Sequence, residues 1–331
     1  MDKFTSRDPE ILKSSCGYIA NFIDGNTHIG IDNLLTTEQR LELPQVDGNA
    51  DKLLKYTMLS IWYSKDRKVP FVAAYNIDGN LKKESVKRVE FQTDPRVSNS
   101  EQLNKAFYDL IYNEEQTEFE IGHMASHNEM SWGINRNVQA EQTFHFTNSV
   151  PQVEKLNSGL WSKLESYVIK ETNETQNKRI SVFTGPMLAD DDPSYIKDRS
   201  FKIPLFFYKI VVFCSEGKLY CTAFVMSQLK RLEELKLIDS ELPGIIKGFL
   251  PPKPFSDYNH KEVFQVNIEL IENYTGMKFQ WENVSRIEIP NDERKLYKIA
   301  QTGGNNAEKK MQEPFRSETN PILTNIILPN R

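Results

Sequence analysis

The alternation of apolar and polar residues predicts β-structure soon after residue 50. Residues 56–63 and 71–77 are rich in aromatic and β-branched side chains, and a charged loop at 64–68 joins them. Such a pair of runs with a short polar connection is typical of a β-hairpin. Clusters of Gly, Pro and Asp separate three more apolar runs, which predict strands at 180–184, 203–213 and 219–226.

Shorter elements are predicted in the middle of the chain and near its end. A short strand near residue 119 ends in Gly122-His123, and a second short strand covers 143–147. A helix is predicted over 157–171, because Trp161, Leu164 and Val168 recur at three- and four-residue spacing. A second helix is predicted over 265–274 and ends at Gly276, the usual residue at a helix C-terminus.

These elements favour an α+β fold, mixed, with a central antiparallel sheet and flanking helices. The length of 331 residues is compatible with one or two domains. Residues 1–50 carry Asp- and Asn-rich turns and predict an irregular N-terminal wrap, and 51–300 form the main domain. Residues 301–331 are polar and predict a loosely attached C-terminal tail.

Composition and charge exclude several classes of protein. The net charge is −5, with 26 % charged and 11 % aromatic residues, which excludes disordered, collagen-like and coiled-coil chains. A histone-like basic protein is excluded too, although a local basic groove is not. No apolar stretch reaches the roughly 18–20 residues of a membrane span, and the charged start resembles no secretory signal. We therefore expect no membrane association.

The cysteines indicate a reducing compartment. Cys16, Cys214 and Cys221 show no metal-ligand spacing, so reduced thiols and a cytoplasmic location are expected. Cys214 and Cys221 flank a predicted turn, and there the choice lies between a cross-strand disulfide and the commoner reduced pair.

Candidate chemistry is concentrated between residues 120 and 165. His123 ends the predicted strand, and Asn157 and Glu165 lie eight residues apart on the predicted helix. Eight residues is about two helical turns, so the amide and the carboxylate share a face. Oxygen ligands of this kind suit one hard divalent cation such as Mg²⁺, which polarises a phosphate.

The order of these motifs resembles that of the DNA/RNA non-specific endonuclease family, the ββα-metal or His-Me finger nucleases. The stretches that carry the resemblance are Gly122-His123, Thr143-Phe144, Thr147-Asn148, Pro151-Gln152, Leu156-Asn157, Trp161 and Leu164-Glu165. The resemblance implies a ββα-metal motif over about 119–172 and a divalent cation, Mg²⁺ or Mn²⁺, as cofactor.

The resemblance also implies roles for individual residues. His123 would be the general base, and Arg88 would clamp the phosphate. Asn148 would shape the catalytic site, Asn157 would bind the cation directly, and Glu165 would contact it through water. Three further residues are assigned to substrate binding, namely Lys87, Glu120 and Arg136.

Two positions depart from the Asp-Arg-Gly-His signature of the family. Glu120 stands in place of the Asp and Ile121 in place of the Arg, so a cation near the phosphate is missing. Four residues are candidates to replace it: Lys87, Lys155, Lys163 and Arg136.

The implied function is hydrolysis of phosphodiester bonds in DNA and RNA to 5′-phosphate products. The alternative is a catalytically weakened nucleic-acid-binding or regulatory module, which Ile121 favours. An active nuclease would damage the cell that makes it, so we expect restraint by an inhibitor, by the N-terminal wrap, by an activating partner or protease, or by export. A defence effector or toxin fits this expectation. The protein is expected to be a monomer or a homodimer.

For several residues, a structural role or the binding of a different metal is an alternative interpretation. His123 and His127 have the spacing of a helical zinc pair, but no set of carboxylates accompanies them, so zinc is disfavoured. His145 is interpreted as a strand residue that faces solvent or packs against its neighbours, and Trp132 and Trp161 as core. The residues Asp190–Asp192 suggest a calcium site, against which a solvated acidic loop is preferred.

Overall fold

Long apolar strands form the centre of the fold. The computed structural model describes residues 6–113, 116–117, 119–174, 179–238, 263–289, 296–297 and 329. The strands are β1 (Leu54–Tyr56), β2 (Leu59–Ser64), β3 (Val69–Asp78), β4 (Tyr112–Asn113), β5 (Gln116–Thr117), β6 (Glu120–His123), β7 (Ser149–Gln152), β8 (Arg179–Met187), β9 (Ser194–Tyr195), β10 (Asp198–Lys202), β11 (Phe206–Ser215), β12 (Lys218–Ser227), β13 (Val263–Val266), β14 (Val284–Arg286) and β15 (Leu296–Tyr297).

Helices are short, apart from one that follows the candidate motif. They are α1 (Pro9–Lys13), α2 (Thr37–Leu41), α3 (Lys105–Ile111), α4 (Arg136–Gln142), α5 (Ser162–Glu174), α6 (Leu229–Glu234) and α7 (Ile268–Thr275). A π-helical segment, Lys155–Trp161, leads directly into α5. Gly276 ends α7 in the left-handed conformation at φ +74°, which a glycine adopts without steric cost.

Nine strands of the described residues form one central sheet in the order β1-β2-β3-β8-β11-β12-β13-β15, with β14 beside β12. All pairs are antiparallel except β12–β14. Side chains of a strand alternate between the two faces of its sheet. Every residue of β3 is buried, so other elements cover both faces there. The predicted α+β class with a central antiparallel sheet is confirmed.

The predicted hairpin is confirmed as β2 and β3, and the later strands as β8, β11 and β12. The strand predicted over 143–147 is wrong. Gln92 forms an isolated bridge with His145 through hydrogen bonds to the backbone of Phe144 and Phe146, and the Phe144 amide bonds to the Glu141 carbonyl. Pairing with β6 begins only at Ser149. The alternation that suggested a strand does not mark two faces, because Phe144, His145 and Phe146 are all buried.

The helix predicted over 265–274 is wrong at its start. Gln265 belongs to β13, which pairs with β12, and its side chain donates a 2.7 Å hydrogen bond to Thr222 Oγ1. The helix therefore begins only at Ile268. Cys214 and Cys221 are both free thiols, and the register sets them opposite Leu219 and Val212 rather than opposite each other.

Two further interpretations concern burial. Trp132 and Trp161 are core residues, as predicted, and His145 packs inside with no exposure. The solvated-loop interpretation of Asp190–Asp192 is wrong for Asp192, which is 4 % exposed and forms a 2.6 Å ion pair with Arg67. A single buried carboxylate with its own cation explains that part of the acidic run without calcium.

The N-terminal segment packs on one face of the hairpin. Ile19 donates a backbone hydrogen bond to Asn76 Oδ1 at 2.8 Å, and Tyr18 donates one to Ser60 Oγ at 2.9 Å. Leu12 and Ile29 are fully buried there. Residues 6–50 are thus irregular but firmly attached, whereas 301–331 lie outside the described residues except for Pro329. The division into wrap, main domain and tail stays a prediction.

None of the helices among the described residues combines the length and the apolar character needed to cross a membrane.

Candidate active site

A separate two-stranded sheet carries the candidate general base. Strands β6 and β7 pair antiparallel, and His123 lies opposite Ser149. Gly122 leaves room for the side chain of Gln152, because a Cβ at position 122 would come within 2.1 Å of Gln152 Oε1 and that side chain would have to move. With helix α5 after β7, these elements form the strand–strand–helix order of the predicted ββα motif.

His123 is enclosed by aromatic rings. Phe91 and Phe144 lie 4.6 and 4.8 Å from it between ring centroids, and its exposed fraction is 7 %. Burial lowers the pKa of His123 well below its usual value, and His127 and Arg88 lower it further. The imidazole is therefore neutral near pH 7. Its Nε2 atom is buried and has no hydrogen-bond partner.

Arg88 is the candidate residue that the structure brings close to His123. Its guanidinium lies 5.9 Å from the centre of the Phe144 ring, the ring that also flanks His123. Arg88 is exposed, and within the described part of the chain it forms no hydrogen bond or ion pair. Lys87, also exposed, is its neighbour in sequence and contacts none of the other described candidates.

Asn148 holds together the backbone around His123. Its Nδ2 donates 2.9 Å hydrogen bonds to the carbonyl oxygens of Ala125 and Thr143, and its Oδ1 accepts one from the Ala125 amide at 3.1 Å. The side chain is fully buried. All three hydrogen bonds go to backbone, so Asn148 shapes the turn after His123 rather than facing a substrate.

Asn157 is paired with Glu120. The amide Nδ2 donates a 2.8 Å hydrogen bond to Glu120 Oε2, which also accepts one from Ser158 Oγ at 2.7 Å. This fixes the amide and leaves its Oδ1 without a hydrogen bond to any described residue. We call Glu120, Asn157 and Ser158 the oxygen-rich set. Glu120 thus lies beside the candidate cation ligand and not among the positive residues that would bind phosphate.

Glu165 lies in a different environment from Asn157. Burial and the charge of Glu129 raise its pKa to about 8, and Lys209 opposes this shift. Lys209 Nζ forms a 3.0 Å ion pair with Glu129 Oε1, and both side chains are fully buried. We call Glu129, Glu165 and Lys209 the buried cluster. The π-helical turn at Asn157 also breaks the α-helical spacing from which a shared face was predicted.

The remaining candidates are not gathered into the site. Arg136 begins α4, is half-buried, and has no hydrogen bond, ion pair or ring contact with the other described candidates. The side chains of Lys155 and Lys163 lie outside the described residues. No described contact joins His123 to Asn157 or Glu165, and no described cluster of three or more His, Cys, Asp or Glu side chains could hold a metal ion.

The sequence interpretation missed Lys82, Glu129 and Lys209. Lys82 is half-buried, and burial lowers its pKa to about 8. Lys209 had a signal, since it alone interrupts the longest apolar run of the chain. A lysine in the middle of a buried strand must have a partner, because an unpaired buried charge is very costly. No local feature of the sequence identifies Glu129 as that partner.

The model of the family described as DNA/RNA non-specific endonuclease matches residues 38–286. Mitochondrial endonuclease G from Homo sapiens and from Bos taurus is 26 % identical over 171 residues, which are 49 % of this chain and 48 % of each relative. The chain therefore spans about half the length of the curated relatives it matches.

Among solved structures, the crystal structure of an EndoG/EndoGI complex, described as showing the mechanism of EndoG inhibition, is similar to this chain. The identity is 19 % and the TM-score 0.49, and the match covers 73 % of this chain and 91 % of that chain.

Proposed function

Because the chain belongs to the DNA/RNA non-specific endonuclease family, we propose that it is a nuclease that hydrolyses phosphodiester bonds of both DNA and RNA. The observation that carries the proposal is the state of His123, a neutral imidazole with a buried, unpartnered Nε2 at the end of β6. An unpaired buried nitrogen costs stability, and such atoms are kept where function needs them.

The reaction follows from the residues around His123. The imidazole accepts a proton from water, and the water oxygen attacks phosphorus while the bond to the 3′-oxygen breaks. The products carry a 5′-phosphate and a 3′-hydroxyl, whose proton comes from solvent. Arg88 supplies a positive charge for the phosphate oxygens, on which negative charge accumulates in the transition state. Contacts of this kind involve phosphate and carry no base preference.

The oxygen-rich set fits a divalent cation, on which the family generally depends. The Asn157 Oδ1 atom has no partner among the described residues, and the Glu120 carboxylate lies 2.8 Å from the same amide group. Hard cations such as Mg²⁺ and Mn²⁺ prefer these donors and take few of them from the protein. A bound cation would polarise the phosphate and stabilise the leaving oxygen. Glu165, whose pKa is raised to about 8 by burial and by Glu129, would contact the bound cation through water as a carboxyl group that can release its proton when the cation binds.

The test is incubation of the purified chain with plasmid DNA and with total RNA in Mg²⁺, Mn²⁺ or EDTA. Both nucleic acids should be degraded, and EDTA should stop the reaction. His123→Ala should lose ~10²–10⁴ of the rate, the usual size of general base catalysis. His28→Ala serves as the matched control, because His28 is exposed and lies in the N-terminal segment, far from His123 in the sequence. Rapid plasmid cleavage by His123→Ala would contradict the proposal.

A nucleic-acid-binding or regulatory module remains the second candidate, because Ile121 replaces a cation of the family signature. Ile121 packs partly buried against the core, so it supplies no charge to a phosphate. This candidate predicts binding of DNA without cleavage at any Mg²⁺ or Mn²⁺ concentration.

Restraint of the activity is also a proposal. The N-terminal segment reaches the loop that carries Arg88, since Arg7 donates a 2.7 Å hydrogen bond to the carbonyl oxygen of Glu90. Expression of the wild type and of His123→Ala in bacteria tests it through viability and chromosome integrity. Growth equal to that of His123→Ala, together with a fully active purified wild type, would place the restraint in the host rather than in the chain itself. The cytoplasmic location stays a prediction, because the curated relatives carry a mitochondrial designation.

A further inference from the structure

Two chain segments lie side by side near His127 and are tied together by hydrogen bonds. Gly133 donates its amide to the Leu81 carbonyl at 2.8 Å, and Lys83 donates to the Ser131 carbonyl at 3.1 Å. Lys82 Nζ donates to the carbonyl oxygens of Asn128 and Ser131. These contacts fix the segment that leads to Arg88 against the turn that carries His127.

His127 is held firmly by its backbone, while its ring is left without a polar partner. Ser131 Oγ donates a 2.6 Å hydrogen bond to the His127 carbonyl. The ring lies 5.5 Å from Phe144 and 6.1 Å from His123, between centroids. It is half-buried, and neither ring nitrogen bonds to a described residue. Phe144 therefore orients both histidines.

The surroundings of this ring are positive. Burial, and then the charges of Arg88 and Lys82, lower the pKa of His127 to about 4, so the imidazole is neutral at physiological pH. The nearby carboxylate, Glu129, is already paired with Lys209. We call Lys82, Arg88 and His127 the cationic set. Two cations beside one ring attract an anion, and a neutral imidazole still offers one N–H donor.

We propose that His127 is a substrate-binding residue that donates a hydrogen bond to a non-bridging oxygen of the nucleic-acid phosphate held by Arg88 and attacked beside His123. The inference rests on the proposed function. The two histidine rings are close enough to reach one phosphate group, and Lys82 sets the position of His127 through the turn that it clamps. His127 thus adds a neutral donor where Arg88 adds charge.

The test measures binding without turnover. Fluorescence anisotropy of a labelled single-stranded DNA oligonucleotide is recorded in EDTA over a series of salt concentrations. His127→Leu and His127→Gln are similar in size, but only Gln keeps an N–H donor. His127→Leu should bind about ten- to hundredfold more weakly, as expected for a lost hydrogen bond to a charged group, and His127→Gln should retain most of the affinity.

Salt dependence separates the contribution of Arg88 from that of His127. Loss of Arg88 should reduce the slope of log affinity against log salt by about one, because one phosphate contact no longer releases a counterion. His127→Leu should leave the slope unchanged, since a neutral donor releases none. Thermal melting confirms that each variant is folded, and His28→Leu controls for loss of an exposed histidine.

The outcomes are distinct. Wild-type affinity in His127→Leu, or equal losses in the Leu and Gln variants, would overturn the role of His127 even if the wild type cleaves DNA. A wild type that binds DNA but never cleaves it, with weaker binding by His127→Leu, would support the role of His127 and overturn the proposed nuclease. A wild type that neither binds nor cleaves would overturn both.

Discussion

The cationic set and the oxygen-rich set are built in opposite ways. Backbone hydrogen bonds hold the cationic set, and its functional groups, Arg88 and His127, have no polar partner within the described chain. In the oxygen-rich set, Asn157 and Glu120 are already bound to each other. In the buried cluster the pairing is more complete, because Glu129 and Lys209 form an ion pair and both side chains are fully buried.

The difference matches the ligands that each set would take. A small cation needs donors at fixed positions, so side-chain pairing before binding reduces the cost of ordering them. A nucleic-acid strand is long, carries many phosphates, and is attracted by charge at a distance. An exposed, unpaired cation such as Arg88 suits that task. We therefore expect substitutions in the two sets to change different measured quantities.

The largest effect is expected at the candidate cation ligand. Asn157→Ala removes the free amide oxygen and should raise the Mg²⁺ concentration for half-maximal rate at least about 100-fold, since even indirect partners of a metal ligand cost 10–100-fold. Asn157→Asp, which keeps an oxygen there, is the matched control and should recover part of the loss. Titration of the cleavage rate with Mg²⁺ measures both. An unchanged Mg²⁺ requirement in the Ala variant would remove Asn157 from the cation site.

The buried cluster should determine stability. Lys209→Met leaves Glu129 enclosed without its cation and should cost about 3–5 kcal/mol in the free energy of unfolding. The second substitution Glu129→Gln removes the unpaired buried charge, so the double variant should regain part of the lost free energy of unfolding. Lys87→Ala, an exposed lysine next to Arg88, should change stability by less than about 0.5 kcal/mol. Urea unfolding measures these differences, and equal midpoints for Lys209→Met and the wild type would contradict the prediction.

An arginine at position 121 tests whether the cationic set is complete. Ile121 packs partly buried against the core, so Ile121→Arg should destabilise the fold by about 1–3 kcal/mol and leave kcat/KM no higher than in the wild type. Ile121→Val is the control for packing alone. Melting temperature and cleavage kinetics are measured together. A gain in kcat/KM of about tenfold, worth ~1.4 kcal/mol of transition-state binding, would show that the site lacks a cation.

The smallest effect concerns pH. His127 has a pKa of about 4 in the folded chain and about 6.5 when unfolded. The unfolded state therefore binds more protons between these values, and the stability that His127 contributes is lost as pH falls from 6.5 towards 4. Glu165 and Asp192, with pKa values raised to about 8 and about 6, act in the opposite direction.

The comparison that isolates this effect is between the wild type and His127→Leu. Wild-type stability relative to the variant should fall when urea unfolding is repeated at pH 7.5, 6.5 and 5.5. His28→Leu, at an exposed position, is measured in parallel as the control for loss of a histidine. A constant difference for His127→Leu would mean that its imidazole is not held neutral by its surroundings.

Local patterns in the sequence determined much of the fold. The hairpin of β2 and β3, the strand ending at His123 and the left-handed Gly276 all follow from neighbouring residues, because strand pairing across a short loop and helix termination are local events. The short ordered motif around Gly122-His123 likewise identified the family. The local pattern was misleading over 143–147, where consecutive buried residues were taken for the alternating residues of a strand.

Only the tertiary structure decided how the site residues are grouped. Asn157 meets Glu120 across 37 positions of chain, and Lys209 meets Glu129 across 80, so no local pattern could pair them. The sequence placed Asn157 and Glu165 on one helical face, and a π-helical turn separated their environments instead. The surroundings of His127 likewise depend on two segments that are distant in sequence and are joined by hydrogen bonds beside it. Side-chain chemistry is written in the sequence, but the pKa and the partner of each group depend on burial and on charges that folding brings near.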